Sequence, residues 1–233
     1  MFGGVTMRII TWNCNGAFRK KFTCLDYLNA DIYVIQECEN PAISTDIEYR
    51  KFARNYLWVG NKNKGLGIFA KDSITLMDNH WKSYGLEWFI SCRVNDEFTL
   101  VAVWGSGNYI EDIYVYLQIH YEKLDSLKKV LICGDFNSNS IWDKKNKRRT
   151  HSAVVQQLQE LNLYSYYHLN KNEPQGKEST PTFYLYRNQQ KPYHIDYCFG
   201  NKNEFSNLKV GKFEDWIKFS DHMPIVFDLI SYI

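Results

Sequence analysis

Apolar residues along this chain fall into short runs, and the runs repeatedly end in polar clusters. Residues 8–12 carry Ile9, Ile10 and Trp12 and break into Asn13-Cys-Asn-Gly16. Ile32-Tyr-Val-Ile35 leads into Gln36-Glu37, and Val130-Leu-Ile-Cys133 into Gly134-Asp-Phe-Asn137. Short apolar stretches bounded by turn formers are the pattern of buried strands, so each predicts a strand with polar side chains at its carboxyl end. Residues 66–70 and Phe98–Trp104 predict further strands, the second rich in β-branched and aromatic residues. A helix is predicted over 19–28, which makes a strand–helix–strand unit with its neighbours. From 111 to 128 the spacing of Ile113, Leu117, Tyr121, Leu124 and Leu127 follows a helical period, and Val154, Val155, Leu158 and Leu161 repeat it between 151 and 163. Strands are expected again at 182–186, 194–200 and 225–230.

The breaks at 61–65 and 171–179 are short, and there is no Pro/Ser linker, internal repeat or low-complexity tract. One α/β domain over residues 1–233 is therefore expected, with 1–7 as a disordered leader. No run approaches the roughly 20 apolar residues of a membrane span. The first residues lack the charged and apolar segments of an export signal, so a cytoplasmic location is expected.

Composition narrows this only a little. Lys and Arg total 28 against 26 Asp and Glu, a formal charge of +2, which argues against a protein that coats long duplexes by charge alone. The 45% apolar content excludes a disordered chain. Six cysteines with no C-x-x-C spacing predict reduced core thiols. Aromatic residues reach 16%, which suits a large β-rich core and also supplies faces for base stacking.

Chemistry enters with four carboxylates at the edges of apolar stretches: Glu37, Asp135, Asp196 and Asp221. Each singly is an ordinary turn or cap residue; together, with Asn13 and Asn137 beside them, they need a compensating partner. Asp135 and Asn137, two apart, share a face if the strand continues. An oxygen-rich set with one histidine suits a hard cation, Mg²⁺ or Mn²⁺, better than zinc, and points to phosphoryl chemistry.

These residues resemble the endonuclease/exonuclease/phosphatase superfamily, which includes exonuclease III-like abasic-site endonucleases and deoxyribonuclease I. The resemblance is carried by Trp12-Asn13-Cys-Asn15-Gly16, Gln36-Glu37, Gly134-Asp135-Phe-Asn137, Ile195-Asp196-Tyr197 and Ser220-Asp221-His222-Met-Pro224, in the family's order. It implies a four-layer α/β sandwich of two packed mixed β-sheets flanked by helices, with the site at one rim. It also implies Glu37 as the main metal ligand, Asn13 near it on metal or phosphate, and Asp221 as a second metal-side residue. Asp135 would orient the attacking water or protonate the leaving oxygen, and Asn137 would contact phosphate. Asp196 and His222 would form a carboxylate–imidazole dyad. Whether His222 works protonated or neutral, and whether one or two metals act, the sequence leaves open.

Two departures from the family pattern are informative. After the middle strand, where relatives carry a histidine or a nearby tyrosine, this chain has Trp104 followed by Gly-Ser-Gly107-Asn108-Tyr109. An indole cannot transfer a proton as imidazole does, so Asn108 or Tyr109 is expected at the phosphate, or Asp135 acts alone. The second departure is His194, expected on the same face as Asp196 and within reach of a phosphate, against the plainer reading of a buried structural histidine.

Residues 144–149, Lys-Lys-Asn-Lys-Arg-Arg, follow the Asp135–Asn137 segment closely. Lys144, Lys145, Lys147, Arg148 and Arg149 read either as a solvated charge run or as a loop that contacts a phosphate backbone. Trp142, Phe183, Tyr184 and Tyr186 are candidates for stacking, and Asn15 for a substrate contact. His151 or Ser152 is expected to cap the helix that follows. The functional expectation is a monomeric, Mg²⁺- or Mn²⁺-dependent nuclease acting on nucleic acid, DNA before RNA. The alternative is a phosphatase or phosphodiesterase for a small molecule, nucleotide or phosphoinositide.

Overall fold

Successive side chains along the central strands alternate between one shared inner core and a separate outer core on each side. Ile32, Val34, Leu100, Ala102, Leu131 and Cys133 turn one way; Tyr33, Ile35, Val101, Val103 and Ile132 turn the other. The computed structural model describes residues 5–231. Its strands begin with β1 (Val5–Asn13), β2 (Ile32–Cys38), β3 (Tyr56–Asn61), β4 (Lys64–Ala70), β5 (Leu76–Asp78), β6 (Phe89–Val94) and β7 (Phe98–Trp104). They continue with β8 (Val130–Asp135), β9 (Tyr164–Ser165), β10 (Phe183–Tyr184), β11 (Pro192–Tyr193), β12 (Asp196–Gly200), β13 (Phe205–Val210) and β14 (Ile225–Ser231).

Two mixed six-stranded sheets result, ordered β13-β14-β1-β2-β4-β3 and β5-β6-β7-β8-β12-β9, with β10-β11 as a separate ribbon. Each six-stranded sheet has one parallel pair at its centre, β1 with β2 and β7 with β8, and antiparallel neighbours elsewhere. The inner faces share one core, in which Ile9, Val34 and Phe227 meet Leu100, Leu131 and Cys133. The outer face of the second sheet is covered by α2 and α4, through Ile113, Leu117, Val154 and Leu158. Helices are α1 (Ile47–Phe52), α2 (Ile110–Ile119), α3 (Tyr121–Asp125), α4 (His151–Glu160), α5 (Tyr166–Lys171) and α6 (Phe213–Trp216). The outer face of the first sheet packs Trp12, Tyr33 and Ile35 under Phe18, Leu25, Tyr49 and Trp216, from turns and short helices. These are the four layers that the resemblance implies. Among the described residues no helix is long and apolar enough to cross a membrane. All six cysteines are free thiols; only Cys24 is not fully buried.

Several expectations are corrected. Residues 19–28 form no α-helix but two 3₁₀ segments, Phe18–Lys20 and Phe22–Leu28, closed by i→i+3 bonds such as Lys21 N–H to Phe18 O. Left-handed Ala17 and Asn29 bound them, and Phe18 and Leu25 are buried. The helix expected over 111–128 breaks at His120, which leaves helical geometry to stack on Trp81 with ring centroids 4.8 Å apart. Of the expected leader, residues 5–7 belong to β1 and pair with β14, Met7 being buried; residues 1–4 lie outside the described residues. The strand expected at 182–186 stops at Tyr184, where the chain turns into Leu185–Arg187. The strand expected from 194 begins at Asp196.

Candidate active site

Both parallel strand pairs end at the same rim, and the polar clusters meet there. Asn13 ends β1, Glu37 lies near the end of β2, Asp135 ends β8, and Asp196 opens β12 directly opposite Asp135. Asp221 and His222 enter from the turn before β14. Glu37 sits at an irregularity of β2, where the register with β4 slips between Gln36 and Cys38, and its φ is +64°. A bulge of this kind turns one side chain out of the alternating pattern, here the carboxylate that faces the rim. Asn137 is likewise left-handed, at φ +46°. The strand does not persist through it as expected; Asp135 and Asn137 meet because the chain turns back. The Asn137 backbone N–H donates to Asp135 Oδ1 and its side-chain Nδ2 to Oδ2, each at 2.9 Å.

Asn13 ties the two sheets together. Its Nδ2 donates to Asp135 Oδ2 at 2.9 Å and to Glu37 Oε1 at 3.3 Å, while its Oδ1 accepts the Asn15 backbone N–H at 3.0 Å. The side chain thus presents its amide nitrogen to both Glu37 and Asp135 and holds the two carboxylates in place. Asn15, exposed at the rim, donates to Asp221 Oδ1 at 2.7 Å. On the other side, His222 Nδ1 lies 3.0 Å from Asp196 Oδ2, and its Nε2 faces Asp135 Oδ2 at 4.0 Å.

The charge states follow from burial and pairing. Asp135 is fully buried, and desolvation pushes its carboxyl up to about 7, partly offset by His222. For His222, burial disfavours the charged form, but the Asp196 and Asp135 carboxylates outweigh it and raise the imidazole to about 10. His222 is therefore held as the imidazolium, with Nδ1–H given to Asp196 and Nε2–H aimed at the gap beside Asp135.

Several positioning residues carried no sequence signal strong enough to single them out. The Trp12 indole donates to the His222 carbonyl at 2.9 Å, and Ser220 Oγ accepts from His222 N–H while donating to Asn13 O. Thr182 Oγ1 accepts the backbone N–H groups of both Ile195 and Asp196 at 3.0 Å. Trp12 and Ser220 stand inside the quoted motifs; Thr182 is marked only as a polar residue opening an apolar stretch. Lys64, in the break at 61–65, places Nζ 2.8 Å from Glu37 Oε2 and 5.5 Å from the centre of the Trp104 ring.

The remaining candidates divide. Trp104 is buried, its backbone paired with Asp135 and its ring against Trp88. Asn108 is exposed and donates to Asp112 at the start of α2, and exposed Tyr109 precedes that helix at φ +55°. His194 is corrected: its Nδ1 meets Thr180 O at 2.8 Å, and its ring is closed in by Tyr167 and Tyr197. With only 4% of its surface exposed and no strand to align it with Asp196, it packs the interior instead of reaching a phosphate. Thr150, not His151 or Ser152, caps α4 by accepting the Ala153 N–H; buried His151 turns its Nε2 to Gln175. Tyr184 belongs to the core.

Lys144, Lys145, Arg148 and Arg149 are exposed, and Lys147 pairs with Glu111 on α2 at 2.6 Å. An aromatic row links this segment to the centre. His222 packs on Phe183 with centroids 4.6 Å apart, Phe183 lies 6.4 Å from Tyr193, and Tyr193 lies 5.2 Å from Trp142, two residues before Lys144.

Among the described residues, the side chains that converge most tightly as potential metal ligands are Asp135, Asp196 and His222, with donor atoms within 4.8 Å of one another. All three are buried and already committed to one another. Glu37, with 19% of its side chain exposed and a cationic ammonium against one oxygen, is the carboxylate open to a hydrated hard cation, which needs only one or two such ligands.

The profile of the Endonuclease/Exonuclease/phosphatase family matches residues 10–222. A DNA-(apurinic or apyrimidinic site) endonuclease of Dictyostelium discoideum is 26% identical over 94% of this chain and 69% of its own length. Among solved structures, the 3'-5' exonuclease NExo of Neisseria meningitidis superposes with a TM-score of 0.72 at 18% identity, covering 97% of this chain and all of its own. An AP endonuclease from Archaeoglobus fulgidus gives a TM-score of 0.66 at 17% identity, over 96% and 99% of the two chains. At these identities the superpositions bear on the fold.

Proposed function

Because the chain belongs to the endonuclease/exonuclease/phosphatase family, we propose that it is a divalent-metal-dependent phosphodiester hydrolase that cuts DNA. The observation that carries this reading is the buried Asp196–His222–Asp135 constellation, with a 4.0 Å gap between His222 Nε2 and Asp135 Oδ2 at the rim shared by the two sheets. The imidazolium Nε2–H donates to a non-bridging phosphate oxygen and steadies the charge that grows there as the phosphorus becomes five-coordinate. Asp135, fixed by amides of Asn13 and Asn137, takes the proton of the attacking water; a carboxyl near 7 is well matched to that exchange at neutral pH. The Asn137 side chain, partly buried beside the gap, orients the phosphate. A Mg²⁺ ion held by Glu37, with Asp221 on the same side, would neutralise the phosphate and stabilise the leaving oxygen.

DNA is favoured over RNA by the named activity of the Dictyostelium relative. The aromatic row from Phe183 to Trp142 offers faces to nucleotides beside the scissile bond, and the basic segment 144–149 at its far end suits the backbone.

The test is cleavage of labelled single-stranded, duplex and abasic DNA, of RNA, and of a phosphate monoester, with Mg²⁺, Mn²⁺ or EDTA. Metal-dependent DNA cleavage that Asp135→Asn lowers by at least about 10²-fold, with DNA affinity retained, is the expected result. Inactivity on every polymer together with monoester hydrolysis would replace this reading by a small-molecule phosphatase.

A further inference from the structure

The β3–β4 hairpin is built to hold one cation against the rim. Trp58 donates its indole N–H to the carbonyl of Cys38, the residue after Glu37, at 3.3 Å. The same ring lies over Gly60 and Gly65, paired residues of the hairpin; a Cβ at Gly65 would come within 2.5 Å of it. The hairpin end is thereby fastened to the irregular segment that turns Glu37 outward. Alternation along β4 sends Lys64 to the same face as Leu66 and Ile68, towards the second sheet, and there its ammonium meets Glu37 Oε2 and the Trp104 ring.

On the reading of the site given above, we propose that Lys64 is a competing cation for Glu37 that becomes a phosphate contact once a metal ion is bound. Glu37 has one oxygen turned to Asn13 and the other to Lys64. A divalent cation approaching that second oxygen must displace the ammonium, and two cations on one carboxylate repel. The pair is weak enough to part, since 55% of the Lys64 side chain is exposed and ion pairs of this exposure contribute little. Displaced ammonium keeps its tether: the four-carbon stem starts at the hairpin end and the indole face of Trp104 still attracts it, so the charge stays at the rim, where an anionic strand passes. Buried Trp104 has no proton to give; the charge above it comes from Lys64.

The experiment measures Mn²⁺ binding by electron paramagnetic resonance, using the ion alone as probe, for the wild type, Lys64→Met and Lys64→Arg. Lys64→Met is expected to bind Mn²⁺ about two- to fivefold more tightly, because nothing has to be displaced. In the non-cleaving Asp135→Asn background, DNA affinity is then followed against salt. With Mn²⁺ present, Lys64→Met should lower the log–log slope by about one, and Lys64→Arg should restore it, which excludes misfolding as the cause. Unchanged or weaker Mn²⁺ binding in Lys64→Met, or an unchanged slope, overturns the proposal while leaving the hydrolase reading intact. Failure of the wild type to bind Mn²⁺ overturns both.

Discussion

At the scale of single residues, the site is defined by which groups are denied water. Asp135 and His222 are almost wholly enclosed, so neither has its ordinary proton affinity, and the Asp196 carboxylate decides the charge of the imidazole. Asp196→Asn should therefore let His222 lose its proton at much lower pH while the ring stays in place. Titration of its imidazole resonances by NMR checks this, and the alkaline limb of the pH–rate profile, where the imidazolium is lost, should move to lower pH, with turnover reduced by about 10²-fold or more. Much of this was legible in the sequence, because carboxylates at the ends of apolar runs are costly unless paired, and the quoted motifs put them in a known order. Conformation was not legible: that Asn13 turns its nitrogen to Glu37 depends on the Asn15 backbone N–H taking its oxygen. His194 failed for a related reason. Its two-residue spacing from Asp196 means a shared face only inside a strand, and the ribbon β10–β11 delays that strand until Asp196.

At the scale of elements, strands with β-branched or continuous apolar runs were readable, and Phe98–Trp104 is found with the predicted limits. Edge strands were not. β3, β5 and β13 mix exposed polar residues with apolar ones, so no continuous apolar run marks them. The break at 61–65 illustrates the difficulty, because Gly65 within it and Gly60 just before it signal a loop whereas they serve a hairpin. They are required by Trp58, whose ring occupies the space their side chains would take. Gly65→Ala would push a methyl group into that ring and the Val59 carbonyl, and should cost about 1–3 kcal/mol of stability, seen as a lower midpoint in urea unfolding. The 3₁₀ turns after β1 belong to the same class of miss: their apolar spacing suits a helix, but the chain closes i→i+3 bonds instead.

At the scale of the whole molecule, stability against acid rests on a buried polar cluster behind the site. His151, His168 and His194 gather with Tyr167, Tyr197, Asn139, Gln175 and Glu178 between α4, α5 and the start of β12. Burial lowers His151 from 6.5 to about 4 and depresses His194 as well. Their contribution is complete above pH 6.5 and is lost as the pH falls towards 4, since the unfolded chain takes up those protons first; His151 alone accounts for at most roughly 3 kcal/mol. Glu178, which burial raises but hydrogen bonds from His168 and the Gly176 N–H hold at about 2, keeps its share until the pH drops below about 4.5. Asp135, raised in the folded state, works in the opposite sense between 7 and 3.8. The clean measurement is thus a difference: urea midpoints at pH 7.5 and 4.5 should fall less for His151→Gln than for the wild type.

The six thiols give the molecule one further property. Cys92, Cys133 and Cys198 are shut in the core between the sheets and Cys14 and Cys38 in the outer core of the first sheet; burial raises Cys92 to about 12 and pushes Cys14, Cys38 and Cys198 up as well. Cys24, at the margin of the first sheet's outer layer, is also raised to about 12. A thiolate is the reactive form, so the thiols raised by burial are nearly inert to alkylating reagents in the folded chain, and each of the two cores that hold buried thiols becomes labelled only as often as it opens. The order in which the sulfurs acquire label under mild conditions would record whether the space between the sheets or the outer side of the first sheet opens first, with no probe added to the chain.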